Sequence, residues 1–171
     1  SPYYLTQTLT RATPIIICGI ATAAAWRAGY INIGVEGQMI TGAFAATIVA
    51  IYVDLPGAIL LPLSVVAGMA AGGLYASVVA VLNLKFNSSI VICTLMMNYV
   101  ANYVASYLVS YPFKDESGDG LSLVTRTIPE SVYFIRFSSS NTLNFGIVVA
   151  VIIVALFYFM GKKTVFGYES K

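Results

Sequence analysis

Long, uninterrupted apolar stretches are the feature that most constrains what this chain can fold into. Residues 147–159, for example, contain no charged side chain. Of the 171 residues, 58% are hydrophobic and only 9% are charged, whereas a soluble domain usually carries about 25% charged residues. Because so few charges cannot cover a water-exposed surface, we expect the chain to be surrounded by lipid.

Five stretches are long and apolar enough to cross a bilayer as helices, which takes about 20 residues each. Their predicted bounds are 12–29, 37–53, 57–84, 88–111 and 143–161. The sequence therefore predicts an all-α integral membrane protein, with residues 1–171 forming a partial transmembrane domain. Residues 113–142 form a loop that is too long and too rich in turn residues for one helix.

The charges near the ends of the spans predict the orientation. Arg27, Lys85 and Lys162 lie at alternate boundaries, and Asp54 and the net acidic loop at 113–142 lie between them. Basic residues collect on the cytoplasmic side, so the loop is predicted outside. Residue 1 then also starts outside, and we expect a further helix upstream. The loop either contacts a delivery protein or is a solvated linker.

Composition also argues against several classes of function. The chain has no histidine, which removes the commonest general base and metal ligand. Its two cysteines, Cys18 and Cys93, lie alone in apolar runs, and we interpret them as core residues. A net charge of +2 is too small to indicate nucleic-acid binding. We expect neither an enzyme nor a metal site.

A polar, glycine-containing segment interrupts the apolar pattern between the first two spans. Interrupted helices in a membrane indicate places lined by protein or water. Glu36 lies in this segment, and it is either hydrated at the inner face, paired with a base such as Arg27, or part of a cavity lining. The candidates for a gate or a helix break are Asn32, Gly34, Glu36, Gly37 and Gln38.

The fourth span carries two polar rows with a four-residue period. At about 100° per residue these rows cover roughly half of the helix, and Ala101 falls on the opposite side. Such a face either lines the route of a flat polar solute or makes hydrogen bonds to other helices. The candidate lining residues are Asn98, Tyr99, Asn102, Tyr103 and Ser106. In the third span, Gly68 and Gly72 have the spacing of a helix-packing face.

The stretch RAGYINIGVEGQM at 27–39 resembles the hallmark segment of permease subunits from bacterial nucleoside-type ABC importers. TRATP at 10–14, TLMMNY at 94–99 and TVFGY at 164–168 fit the same family. The wider class serves simple sugars and branched-chain amino acids.

The resemblance implies a multi-pass protein of the bacterial cell membrane, with roughly ten helices when whole. It implies three partners, namely a cytoplasmic ABC ATPase subunit, a second and often different permease subunit, and an extracytoplasmic solute-binding lipoprotein. ATP and magnesium would be bound by the ATPase, so we expect no cofactor on this chain. The coupling helix and the later spans would follow residue 171.

Two other functions remain open from the sequence. An ion-coupled secondary carrier needs a buried carboxylate, for which Glu36 is the candidate. A permease for simple sugars would share most of the features described above.

Overall fold

A computed structural model describes residues 2–115, 124–134 and 144–163, and most of these residues are helical. The helices in these residues are α1 (Pro2–Arg27), α2 (Val35–Tyr52), α3 (Gly57–Phe86), α4 (Ile90–Ser110) and α5 (Gly146–Lys163), with one 3-10 turn at Glu130–Val132. Helices α1 to α4 are long and apolar enough to cross a membrane, and α5 is a further apolar helix. The prediction of an all-α membrane protein is confirmed.

Helix α1 begins at Pro2, well before the predicted start of the first span at residue 12. Its first turns are polar, but their hydroxyl groups bond to the helix itself. Thr8 donates to the carbonyl of Tyr4 and Thr10 donates to that of Thr6, each at 2.9 Å. Because such bonds satisfy a threonine inside a helix, the polar residues extend α1 instead of ending it.

The chain divides into two compact units, and the first consists of Ser1–Asn32 with Phe134–Lys171. In this unit α1 and α5 run in the same direction. The Arg27 guanidinium, at the end of α1, lies 5.3 Å from the centre of the Phe157 ring near the end of α5. Lys162 lies 4.7 Å from the Tyr158 ring on the same helix. Two of the cations that the sequence places inside are therefore at one end of this unit.

The second unit, Ile33–Tyr133, contains α2, α3 and α4. Most of its buried side chains are small, and many large apolar side chains point outward, such as Leu84 with 81% of its surface exposed. Helices α2 and α3 cross in close contact, because a Cβ on Gly68 would lie 2.9 Å from the carbonyl oxygen of Gly42. The apolar exterior fits a lipid environment or contacts with other helices.

The described parts of the long loop pack against the second unit. The Phe113 ring meets the Phe44 and Tyr52 rings of α2 edge-on, at 5.5 and 5.8 Å between centres. The 3-10 turn covers the start of α3, where a Cβ on Gly57 would collide with the Ser131 carbonyl oxygen. These two parts of the loop are thus docked on helices. Residues 116–123 and 135–143, and the TVFGY motif at 164–168, lie outside the described residues.

Candidate functional site

The helix break predicted between the first two spans lies before α2. Residues 28–34 are not helical, Gly29 has a φ of +83°, and α2 begins at Val35 with Gly34 as its N-cap. A glycine N-cap has no side chain that can accept a hydrogen bond from the first turn. The amide groups of that turn therefore need partners from elsewhere, because lipid offers none.

Asn98 of α4 supplies one of these partners. Its side-chain oxygen accepts a hydrogen bond of 2.9 Å from the backbone amide of Gly37, the third residue of α2. Its side-chain nitrogen donates one of 3.0 Å to the carbonyl oxygen of Ile33. Only 7% of the surface of Asn98 is exposed. One carboxamide thus caps α2 from a different helix and bonds to the backbone on both sides of the N-cap Gly34.

Gly37 lies where three helices meet. A Cβ at this position would be 3.0 Å from the Asn98 oxygen, 3.1 Å from the Tyr75 ring and 3.3 Å from the Cβ of Ala101. The hydroxyl of Tyr75 donates to the carbonyl of Met97 at 2.5 Å and so ties α3 to α4 at the same level. Gly37 has no space for a larger residue, which explains the glycine here.

The start of α2 lies well inside the unit along the helix axes. Asn98 comes eight residues after the start of α4, and Tyr75 comes eleven residues before the end of α3. At 1.5 Å per residue, Asn98 lies about 12 Å from the start of α4, and Tyr75 lies about 16 Å from the end of α3. These two helix ends are joined by the short turn between α3 and α4. The start of α2 is therefore held by the interior parts of α3 and α4, at a distance from the turn that joins these two helices.

Glu36 and Asn102 form a polar pair next to this junction. The side-chain nitrogen of Asn102 donates to a carboxylate oxygen of Glu36 at 3.3 Å and to the carbonyl oxygen of Asn98 at 3.1 Å. Both Glu36 and Asn102 have accessible surface at the edge of the unit. The pair offers the free oxygen positions of a carboxylate to a hydrogen-bond donor of a solute or to water.

The polar rows of α4 do not share one environment. Asn98 is buried, whereas Asn102, Ser106 and the row of tyrosines are exposed, with Tyr103 at 75%. Ala101, expected on the side opposite to the polar rows, is 1% exposed and lies beside Asn98 against Gly37. The predicted angular positions around α4 agree with the structure, but the buried face of the helix is centred between Asn98 and Ala101. Tyr99 is exposed with Tyr103.

The other candidates of the break lie close to this junction. The backbone amide of Asn32 donates to the carbonyl of Tyr30, and that of Gln38 donates to the carbonyl of Gly34. The Gln38 carbonyl oxygen would be 3.2 Å from a Cβ on Gly72. Gly68 and Gly72 therefore both face α2, one of them against Gly42 and the other against Gln38.

Three further residues matter in the junction but were not predicted from sequence. Tyr75 and the buried Thr94 both bond to backbone carbonyls of α4, and Gly42 forms the other side of the contact with Gly68. Only Gly42 had a signal in the sequence, since it is a second glycine on α2, five residues after Gly37. In the described part of the chain, no cluster of three histidine, cysteine or acidic residues could hold a metal.

Comparison with known proteins gives a family match over nearly the whole chain. Residues 4–171 match the family described as branched-chain amino acid transport system / permease component. The guanosine ABC transporter permease protein NupP of Bacillus subtilis is 34% identical over 99% of this chain and 49% of its own length. The glucose ABC transporter permease protein TsgB13 of Haloferax volcanii is 34% identical over 99% of this chain and 47% of its own length.

A third relative, the nucleoside ABC transporter permease protein NupB of Lactococcus lactis, is 26% identical over 96% of this chain and 47% of its own length. The chain thus spans about half the length of the curated relatives it matches. No solved structure matches it significantly.

Proposed function

Because this chain belongs to the family of branched-chain amino acid transport system / permease components, we propose that it is part of a permease subunit of an ATP-driven importer in a bacterial cell membrane. The solute is a nucleoside or a similar small polar molecule. The names of two relatives specify guanosine or nucleosides, and that of a third specifies glucose. A family of transport components argues against an enzyme and against an ion-coupled carrier.

The observation that carries this proposal is the accessible polar surface halfway along α4. Glu36, Asn102, Tyr103 and Ser106 are open at the surface of their unit. A carboxylate costs a few kcal/mol to place at the centre of a bilayer and is therefore rare on a lipid-facing surface. The polar surface of α4 faces water or solute in the complete transporter.

The residues of this surface supply binding groups and no covalent chemistry. The Glu36 carboxylate accepts hydrogen bonds from hydroxyl or amino groups, and the Asn102 amide holds that carboxylate in place. The exposed Tyr99 and Tyr103 rings offer flat faces on which a base or a sugar ring can stack. A carboxylate at this position favours solutes that donate hydrogen bonds and disfavours anions.

The energy for transport comes from partner subunits. An ABC ATPase in the cytoplasm binds ATP and magnesium, and its closure drives alternating access in the membrane helices. A second permease subunit completes the route, and an extracytoplasmic binding lipoprotein delivers the solute.

Uptake by the complete transporter tests the proposal. We expect ATP-dependent, vanadate-sensitive uptake of labelled guanosine, with unlabelled glucose as a competitor to distinguish the two solute classes. The variants Asn102→Ala and Tyr103→Ala should raise the KM for uptake about tenfold, the loss of one hydrogen bond or one stacking contact. Tyr158→Ala changes another exposed tyrosine, on α5, and should leave the KM unchanged.

Two results would contradict the proposal. Uptake that continues without ATP would exclude an ABC importer. An unchanged KM in both α4 variants would show that the polar surface of α4 does not line the route of the solute.

A further inference from the structure

We infer that Asn98 is a positioning residue, which acts on transport through Glu36 without touching the solute. By capping α2 from α4, it fixes where the Glu36 carboxylate stands beside Asn102. The role assigned to Glu36 rests on the proposed function. The cap itself stands on the geometry of the second unit alone.

Asn98 is too buried to bind a solute. Its oxygen accepts a hydrogen bond from the amide of Gly37, and its nitrogen donates one to the carbonyl of Ile33, so both ends of the side chain face the packed interior of the unit. The side chain is buried, although it belongs to the same four-residue row as the exposed Asn102. Any effect of Asn98 on solute binding must therefore pass through the residues that it holds.

Asn98 is linked to Glu36 in two ways. Glu36 directly precedes Gly37, so the capped amide belongs to the peptide bond that follows the Glu36 side chain. Asn102, which donates to the carboxylate, also donates to the carbonyl of Asn98. Losing the cap frees the first turn of α2 and moves the carboxylate away from the amide of Asn102.

Hydrogen exchange of the complete protein in lipid nanodiscs tests the cap directly. Asn98→Leu keeps the shape of the side chain and removes both hydrogen bonds, and it should speed exchange in the peptide containing Gly37 at least about fivefold. Asn98→Asp keeps an oxygen for the Gly37 amide and should exchange more slowly than the leucine variant. Equal exchange in Asn98→Leu and the unaltered protein would overturn the inference.

Thr94→Val is the matched control for this experiment. Thr94 is buried on the same side of α4, one turn away, and its hydroxyl bonds to Val91 within its own helix. Losing this bond should leave the exchange of the Gly37 peptide unchanged. An equal increase in Thr94→Val and Asn98→Leu would show general loosening of α4 and would contradict a specific cap.

Transport kinetics test the link to Glu36. If Asn98 acts through Glu36, the effects of Asn98→Leu and Glu36→Gln on KM should not add, and the double variant should resemble the more impaired single variant. Fully additive effects would overturn the link. Hydrogen exchange involves no solute, so a wrong choice of solute would defeat the uptake assay without changing the exchange rates that test the cap.

Discussion

Asn98 and Asn102 are one turn apart on α4, yet they have different surroundings. Asn98 points between helices and completes the backbone hydrogen bonding at the start of α2. Asn102 points outward and holds the carboxylate of Glu36. An amide can do both tasks because it carries a donor and an acceptor. At the scale of single residues, Asn98 holds the start of α2 in place, and Asn102 holds the Glu36 carboxylate at the surface.

Gly37 allows α2 to pack closely against α3 and α4, and its replacement by a larger residue should disturb this packing. A methyl group in Gly37→Ala would meet the Asn98 oxygen, the Tyr75 ring and Ala101 at 3.0 to 3.3 Å. Overpacking of this kind costs about 1–3 kcal/mol of stability. We expect the Gly37→Ala variant of the complete protein in nanodiscs to unfold at a lower temperature than the unaltered protein.

Gly19→Ala on α1 is the control for this change. Nothing lies within 4 Å of the added methyl group there, so the unfolding temperature should stay the same or rise slightly. If both alanine variants unfold at the same temperature as the original protein, the junction is looser than the distances indicate.

At the scale of elements, the contact between α2 and α3 depends on backbone meeting backbone. Gly42 and Gly68 approach so closely that a Cβ on either one would lie 2.9 Å from the carbonyl oxygen of the other. In lipid, where no hydrophobic effect drives helices together, such close packing and dispersion supply the attraction. The pair therefore fixes how α2 lies on α3 and, with it, where α2 begins.

Gly68→Ala should push these two helices apart. Its methyl group meets a backbone oxygen, which cannot rotate away as a flexible side chain can, and we expect a loss of about 1–3 kcal/mol. Gly73→Ala on the same helix places its methyl group in open space and should be neutral. Thermal unfolding of the complete protein compares the two variants, and equal unfolding temperatures would contradict a rigid crossing.

The sequence predicts the helices well because membrane spans are set by composition. Helices α2 to α5 begin and end within three residues of the predicted spans. The start of α1 was predicted ten residues too late, because hydropathy counts threonines as polar even where their hydroxyl groups bond to the same helix. The cap by Asn98 could not be predicted from the sequence either, because the two residues that it bonds lie 61 and 65 positions away. Sequence periodicity predicts the direction of a side chain around the helix axis, but it does not predict which residue of another helix that side chain contacts.

At the scale of the whole molecule, charge and packing indicate the same topology. In the second unit, the Asp54 turn and the 3-10 turn at Glu130–Val132 lie at one end, because Gly57 contacts Ser131. Lys85 lies at the opposite end of α3. Since lysine and arginine favour the cytoplasm, the end with Asp54 should face outward. The described parts of the long loop that are docked at this end should then face outward as well.

Cysteine labelling of intact cells tests this topology. In the complete protein with Cys18 and Cys93 replaced by alanine, Asp54→Cys and Ser131→Cys should react with a membrane-impermeant maleimide added outside. Ser89→Cys, an exposed position at the turn between α3 and α4, should react only after the membrane is permeabilised. Labelling of Ser89→Cys from outside would show the opposite orientation and would place the docked parts of the loop in the cytoplasm. Such a result would also remove the physical reason for expecting the loop to meet a delivery protein.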